Sequence, residues 1–188
     1  MRRFCLLIFF VLYVFSIVAC APVRKDGLPN YDKHTCTVGL TARLFPSDEF
    51  LERFQYTEGD YHYWDSDDWI WGYAKTFAYL RYDPAVYQDA KQYCLEEFAF
   101  NSSNLHINTD NGYSFQEVYG SVAEYAIDPA VASNCNFPGC FNLFGFNDES
   151  NTLYFLGYYN GDPNSGERNM ALTQFDEFIN KVYGEYFP

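Results

Sequence analysis

The sequence predicts an α+β domain: a mixed or antiparallel sheet with helices packed on it, stapled by disulfides. Three observations carry this. Segments of strand period and of helix period are interleaved along the chain. Aromatic residues reach 21%, including 18 Tyr, and large rings dominate burial energy. Four cysteines follow an N-terminal apolar leader, an even number in a chain that reads as exported.

The leader comes first. Arg2 and Arg3 form a positive end, Phe4 to Val18 is apolar apart from Ser16, and small residues follow at Ala19, Cys20 and Ala21. That order is a secretory signal over residues 1–21, with cleavage near 20/21. The apolar run is about 15 residues, short of the roughly 20 that span a bilayer. Secretion without membrane insertion after cleavage is therefore expected. Ile17-Val18-Ala19-Cys20 also resembles a lipobox, and lipidation of Cys20 would make a lipid-anchored surface protein. Residues 22–34 are polar and rich in breakers and read as a linker. Residues 35–188 read as a single globular domain, since no repeat, low-complexity tract or long internal linker divides them.

From Thr35 to Phe45 apolar and polar residues alternate, a strand pattern. Ser47 or Asp48 then caps a short helix carrying Phe50, Leu51 and Phe54. Residues 57–68 read as a polar, aromatic loop. Ile70, Tyr73, Ala74, Phe77 and Leu80 recur at helical spacing and predict a helix over 69–82, although Trp69, Trp71 and Tyr73 also alternate. Asp83-Pro84 opens a further helix, with Val86, Tyr87, Ala90, Cys94, Glu97 and Phe98 along one face. Asp110-Asn111-Gly112 suits a turn or short hairpin after residues 105–109. Ser114-Phe115-Gln116-Glu117 matches a capping box and predicts a helix to about Ala126. Phe141–Phe146 and Thr152–Tyr159, separated by Asn147-Asp148-Glu149-Ser150-Asn151, predict a hairpin. Asn160 to Glu167 reads as a loop. The last helix is expected over about 169–183, burying Leu172, Phe175, Phe178, Ile179 and Val182.

Pairing of the mature cysteines has three solutions. Pro138-Gly139 places a turn between Cys135 and Cys140, which favours Cys135–Cys140 and leaves Cys36–Cys94. Asn101-Ser102-Ser103 is a glycosylation acceptor in a eukaryotic secretory pathway.

Charge narrows the partners. The chain holds 12 Lys+Arg against 25 Asp+Glu, a net charge of −13. Such an excess repels phosphate backbones, so no nucleic-acid partner is expected. The densest chemical cluster is Glu58 to Trp69, which gathers Glu58, Asp60, Asp65, Asp67, Asp68 and His62 with several rings. Rings stack on apolar sugar faces while carboxylates accept hydroxyl hydrogens. The expected binding residues are Tyr61, Tyr63, Trp64, Asp65, Asp67, Asp68, Trp69 and Trp71, for an extracellular carbohydrate or protein. Paired carboxylates in the same stretch offer an alternative, a secreted glycoside hydrolase. Crowded acids also suit calcium, but no metal ligand set and no cofactor is assigned. Asn160, Asp162 and Asn164 resemble the opening of an EF-hand loop, yet Ser165 and Ala171 break the pattern. No nucleophile elbow, zinc-protease motif or phosphate-binding glycine loop is present. The reading is a non-enzymatic binding module.

Overall fold

The computed structural model describes residues 23–30, 48–66, 73–97, 105–108, 114–121, 140–162, 164, 166 and 174–188. The leader, the expected strand 35–45, Cys36, Asn101 and Cys135 lie outside these residues. The described elements run β1 (Val23–Asp26), a 3-10 turn (Leu28–Asn30), α1 (Asp48–Arg53), β2 (Glu58–Asp65), β3 (Tyr73–Arg81) and α2 (Pro84–Glu97). Then follow β4 (Leu105–Asn108), β5 (Ser114–Ser121), β6 (Cys140–Asn147), β7 (Thr152–Asn160), α3 (Phe175–Tyr183) and a 3-10 turn (Gly184–Tyr186). The fold is α+β. The strands form one seven-stranded sheet in the order β1-β2-β3-β7-β6-β5-β4, and every neighbouring pair is antiparallel.

Two meanders meet at the centre, where β3 and β7 pair from Tyr73↔Asn160 to Arg81↔Thr152. Both sheet faces are covered. Phe77, Phe141, Tyr154, Leu156 and Tyr158 pack with Phe175, Phe178, Ile179 and Tyr183 of α3. On the opposite face Tyr61, Tyr63, Leu80, Phe144 and Phe155 pack with Phe50 of α1 and Tyr87, Ala90 and Cys94 of α2. A strand covered on both faces has no solvent side to alternate with, so β7 is buried from Thr152 to Tyr159.

The β6–β7 hairpin stands where the sequence places it. Asn147 Oδ1 accepts from the Glu149 and Ser150 amides at 2.9 and 3.0 Å, closing the turn. Asn151 takes φ 51°, a left-handed conformation that Asn tolerates well. The short helix at Asp48, the helix opened by Pro84 and the C-terminal helix are also present. At the start of α2 the Asp83 carbonyl accepts from the Val86 and Tyr87 amides at 2.9 and 3.0 Å.

Five expectations change. Residues 23–30, read as linker, form the edge strand β1 and a 3-10 turn. Residues 58–65, read as a loop, form β2. The helix expected over 69–82 is β3 across its described part, because burial on both faces obscures the strand period. The helix expected from Ser114 is β5, where pairing with β4 and β6 overrides a four-residue capping pattern. Cys94, expected to bridge to Cys36, is a free thiol buried among the rings over α1 and α2, where it acts as a small apolar side chain. Burial pushes that thiol's pKa well above its ordinary value.

Candidate functional site

Strand β2 divides the expected binding cluster between two faces. Its register on β3 pairs Tyr61 with Ala78 and Tyr63 with Thr76, and these side chains turn toward α1 and α2. Tyr61 is 1% exposed and Tyr63 2%, so neither ring reaches an external ligand, and their assignment as binding residues is corrected to core. Asp65 shares that face, is 6% exposed and accepts a 2.8 Å hydrogen bond from the Tyr63 hydroxyl. Trp64 points the other way and packs edge-on against Tyr73, with ring centres 5.0 Å apart. Asp67, Asp68, Trp69 and Trp71 lie outside the described residues.

On the Trp64 side a polar clamp joins β1, β2 and the C-terminal turn. His62 Nδ1 lies 2.8 Å from Asp26 Oδ1, and Nε2 lies 3.2 Å from Asp60 Oδ2. The imidazole stacks on Tyr186 at 4.3 Å between ring centres. Asp26 also accepts from Arg24 Nε at 2.8 Å. The His62 hydrogen bond, with Arg24 adding to it, outweighs burial and holds the Asp26 carboxyl below the usual carboxylate range. Lys75 on β3 donates to the Val182 carbonyl at 3.1 Å and lies 3.7 Å from Glu185. Its ammonium also sits 4.8 Å from the Tyr186 ring centre. Burial pushes the Lys75 pKa down, and Glu185 pulls it back up. Glu58 accepts from the Tyr79 hydroxyl at 3.1 Å and from Arg81. Burial and this Glu58 contact push the Tyr79 phenol up to about 12. The described carboxylates of β2 are thus each engaged by a neighbouring side chain. His62, through Asp26 and Tyr186, and Lys75, through Val182 and Glu185, fasten β1 and the C-terminus to the sheet.

A second arrangement lies on the opposite side of the sheet. The end of α1 and one stripe of α2 border an open groove of about 580 Å³, lined by Arg53, Phe54, Ala85, Val86, Asp89, Gln92, Tyr93 and Glu96. This volume is within the range of small-ligand sites. Helical spacing produces the stripe, since residues three and four apart share a face. Phe50 and Phe54 anchor α1 and meet Tyr93 at 5.5 Å each. The Arg53 guanidinium lies over both Phe54 and Tyr93, at 4.9 and 5.2 Å from the ring centres. Gln92 donates to Glu96 at 2.7 Å, and both are exposed. The groove therefore offers an aromatic base, an exposed cation over it and a row of hydrogen-bonding groups. Sequence reading used Phe54 and Val86 as helix-face residues but missed the groove, because its walls come from segments thirty or more positions apart.

Among the described residues no group of His, Cys, Asp and Glu is arranged to hold a metal ion. None of their helices is long and apolar enough to cross a membrane. Comparison with family models, curated proteins and solved structures finds no match to this chain.

Proposed function

We propose that the chain is an exported, non-enzymatic binding module that takes a carbohydrate in the groove between α1 and α2. The observation that carries this reading is the combination in one groove of the Tyr93 ring with Asp89, Gln92 and Glu96. The polar groups follow one another at about one helical turn, roughly 5.4 Å, the scale of a single sugar ring. Carboxylates and an amide accept and donate to hydroxyls, and the Tyr93 side chain adds apolar contact. The leader at residues 1–21 supports export, and the net charge of −13 argues against nucleic acid.

A hydrolase is less well supported. Asp89 and Glu96 stand two turns apart on one helix, about 10.5 Å along its axis, and do not face each other across the groove. The described carboxylates of β2 are held by Tyr79, Arg81, His62 and Tyr63.

The test is a glycan array probed with the purified exported protein and two exposed-site variants, Asp89→Ala and Gln92→Ala. The expected result is a selective hit weakened at least tenfold by either change, with circular dichroism unaltered and with Trp64→Ala binding normally. No hit, or binding lost only in Trp64→Ala, would overturn the reading.

A further inference from the structure

We infer that the groove between α1 and α2 selects an acidic saccharide, one whose carboxylate sits on Arg53. The inference rests on the carbohydrate reading and names the ligand class. Its starting point is the company that the three described arginines keep. Arg24 is paired with Asp26, and Arg81 with Glu58. Arg53 has neither an ion pair nor a hydrogen bond among the described residues, although Asp89 and Glu96 line the same groove. In a chain with 25 acidic residues, an arginine beside two of them that pairs with neither has its donors available to a ligand.

The exposed guanidinium also has an aromatic platform. Its central carbon lies over Phe54 and Tyr93, at 4.9 and 5.2 Å from their centres. Ring contact leaves its N–H donors without a hydrogen-bond partner among the described residues, and a guanidinium can grip a carboxylate through two parallel hydrogen bonds. Because the fork is planar, less rotamer freedom is lost per hydrogen bond formed. The opposite wall has the reverse character. Asp89, Gln92 and Glu96 are exposed acceptors that repel a bare anion and welcome hydroxyl hydrogens. A neutral sugar leaves Arg53 unused, and an inorganic anion leaves the acceptor row unused and repelled. A sugar acid satisfies both walls at once.

The experiment compares ligand pairs that differ only in the carboxylate. Titration calorimetry of the exported protein would use a uronate trisaccharide beside its methyl ester, and sialyllactose beside lactose. The same titrations would be run on Arg53→Gln and Arg53→Lys, with folding checked by circular dichroism. The acidic member of at least one pair should bind ten or more times more tightly than its neutral counterpart. Arg53→Gln should abolish that preference, and Arg53→Lys should retain part of it. Equal affinity for both members of a pair, unchanged in Arg53→Gln, would overturn the acidic preference and leave the carbohydrate reading standing. Binding of none of the four would overturn both.

Discussion

Asp148 sits in the β6–β7 turn and reaches across to α2, accepting from the Tyr87 hydroxyl at 2.6 Å and from Lys91 Nζ at 2.9 Å. Lys91 in turn lies 3.6 Å from the centre of the Phe146 ring, so one charged contact pins the helix to the hairpin. Burial alone would raise the Asp148 pKa, and the Tyr87 and Lys91 contacts outweigh it, leaving the carboxyl below its ordinary range. A carboxyl depressed in the folded state stabilises it above the unfolded value, near pH 3.9, and loses that contribution as pH falls through the lower folded value. Asp148→Asn should therefore cost about 1 kcal/mol at pH 7, an amount kept small by the solvent around the carboxylate. Urea denaturation at pH 7 and again far below the unfolded value, at about pH 2, checks this. The gap between wild type and variant should close in acid, and a gap that persists there would refute the pin.

At the scale of the element, β2 shows most plainly how a sequence conceals a strand. Its residues alternate, with Tyr61, Tyr63 and Asp65 on one side and Asp60, His62 and Trp64 on the other. Yet both sides carry rings and acids, so hydropathy does not reveal the period. The β6–β7 hairpin was legible because Asn147 to Asn151 interrupts two aromatic runs with turn chemistry. Helix α3 was legible because Phe175, Phe178, Ile179 and Val182 keep one stripe. Strand β3 was not, since its Ala74, Phe77, Ala78 and Leu80 meet packing partners on both faces and fit helical spacing equally well. The candidate groove was the least legible part, because the approach of Arg53 to Tyr93 depends on how α1 and α2 pack on the sheet. Gly59 near the start of β2 tests a different contact, the packing of the 3-10 turn over β2. A Cβ there would stand 2.8 Å from the Tyr79 carbonyl oxygen and 2.9 Å from side-chain carbons of Leu28 and Leu80. The carbonyl belongs to the β2–β3 ladder and has little room to yield. Gly59→Ala should destabilise the fold by about 1–3 kcal/mol, measured as a shift of the denaturation midpoint at unchanged slope. A neutral result would mean that the 3-10 turn carrying Leu28 does not pack over β2 as described.

Taken whole, the molecule is a sheet with two covered faces that serve different ends. The face under α3 is closed by Tyr183, whose hydroxyl donates to the Gly157 carbonyl at 2.6 Å, and by the Lys75 and His62 contacts to the final turn. The opposite face carries α1 and α2, and their outward stripe opens a groove lined by exposed polar groups. In the proposed function the acidic, aromatic stretch at 58–65 is left to hold the sheet together, and ligand contact is given to Arg53, Asp89, Gln92, Tyr93 and Glu96. Amide NMR, with ¹⁵N-labelled protein titrated with the saccharide selected on the array, tests that assignment most directly. The account predicts shift changes concentrated at Arg53, Phe54 and residues 85–96, with His62 and Trp64 unmoved. Changes centred instead on Arg24, His62 and Trp64 would contradict it and return the site to β2.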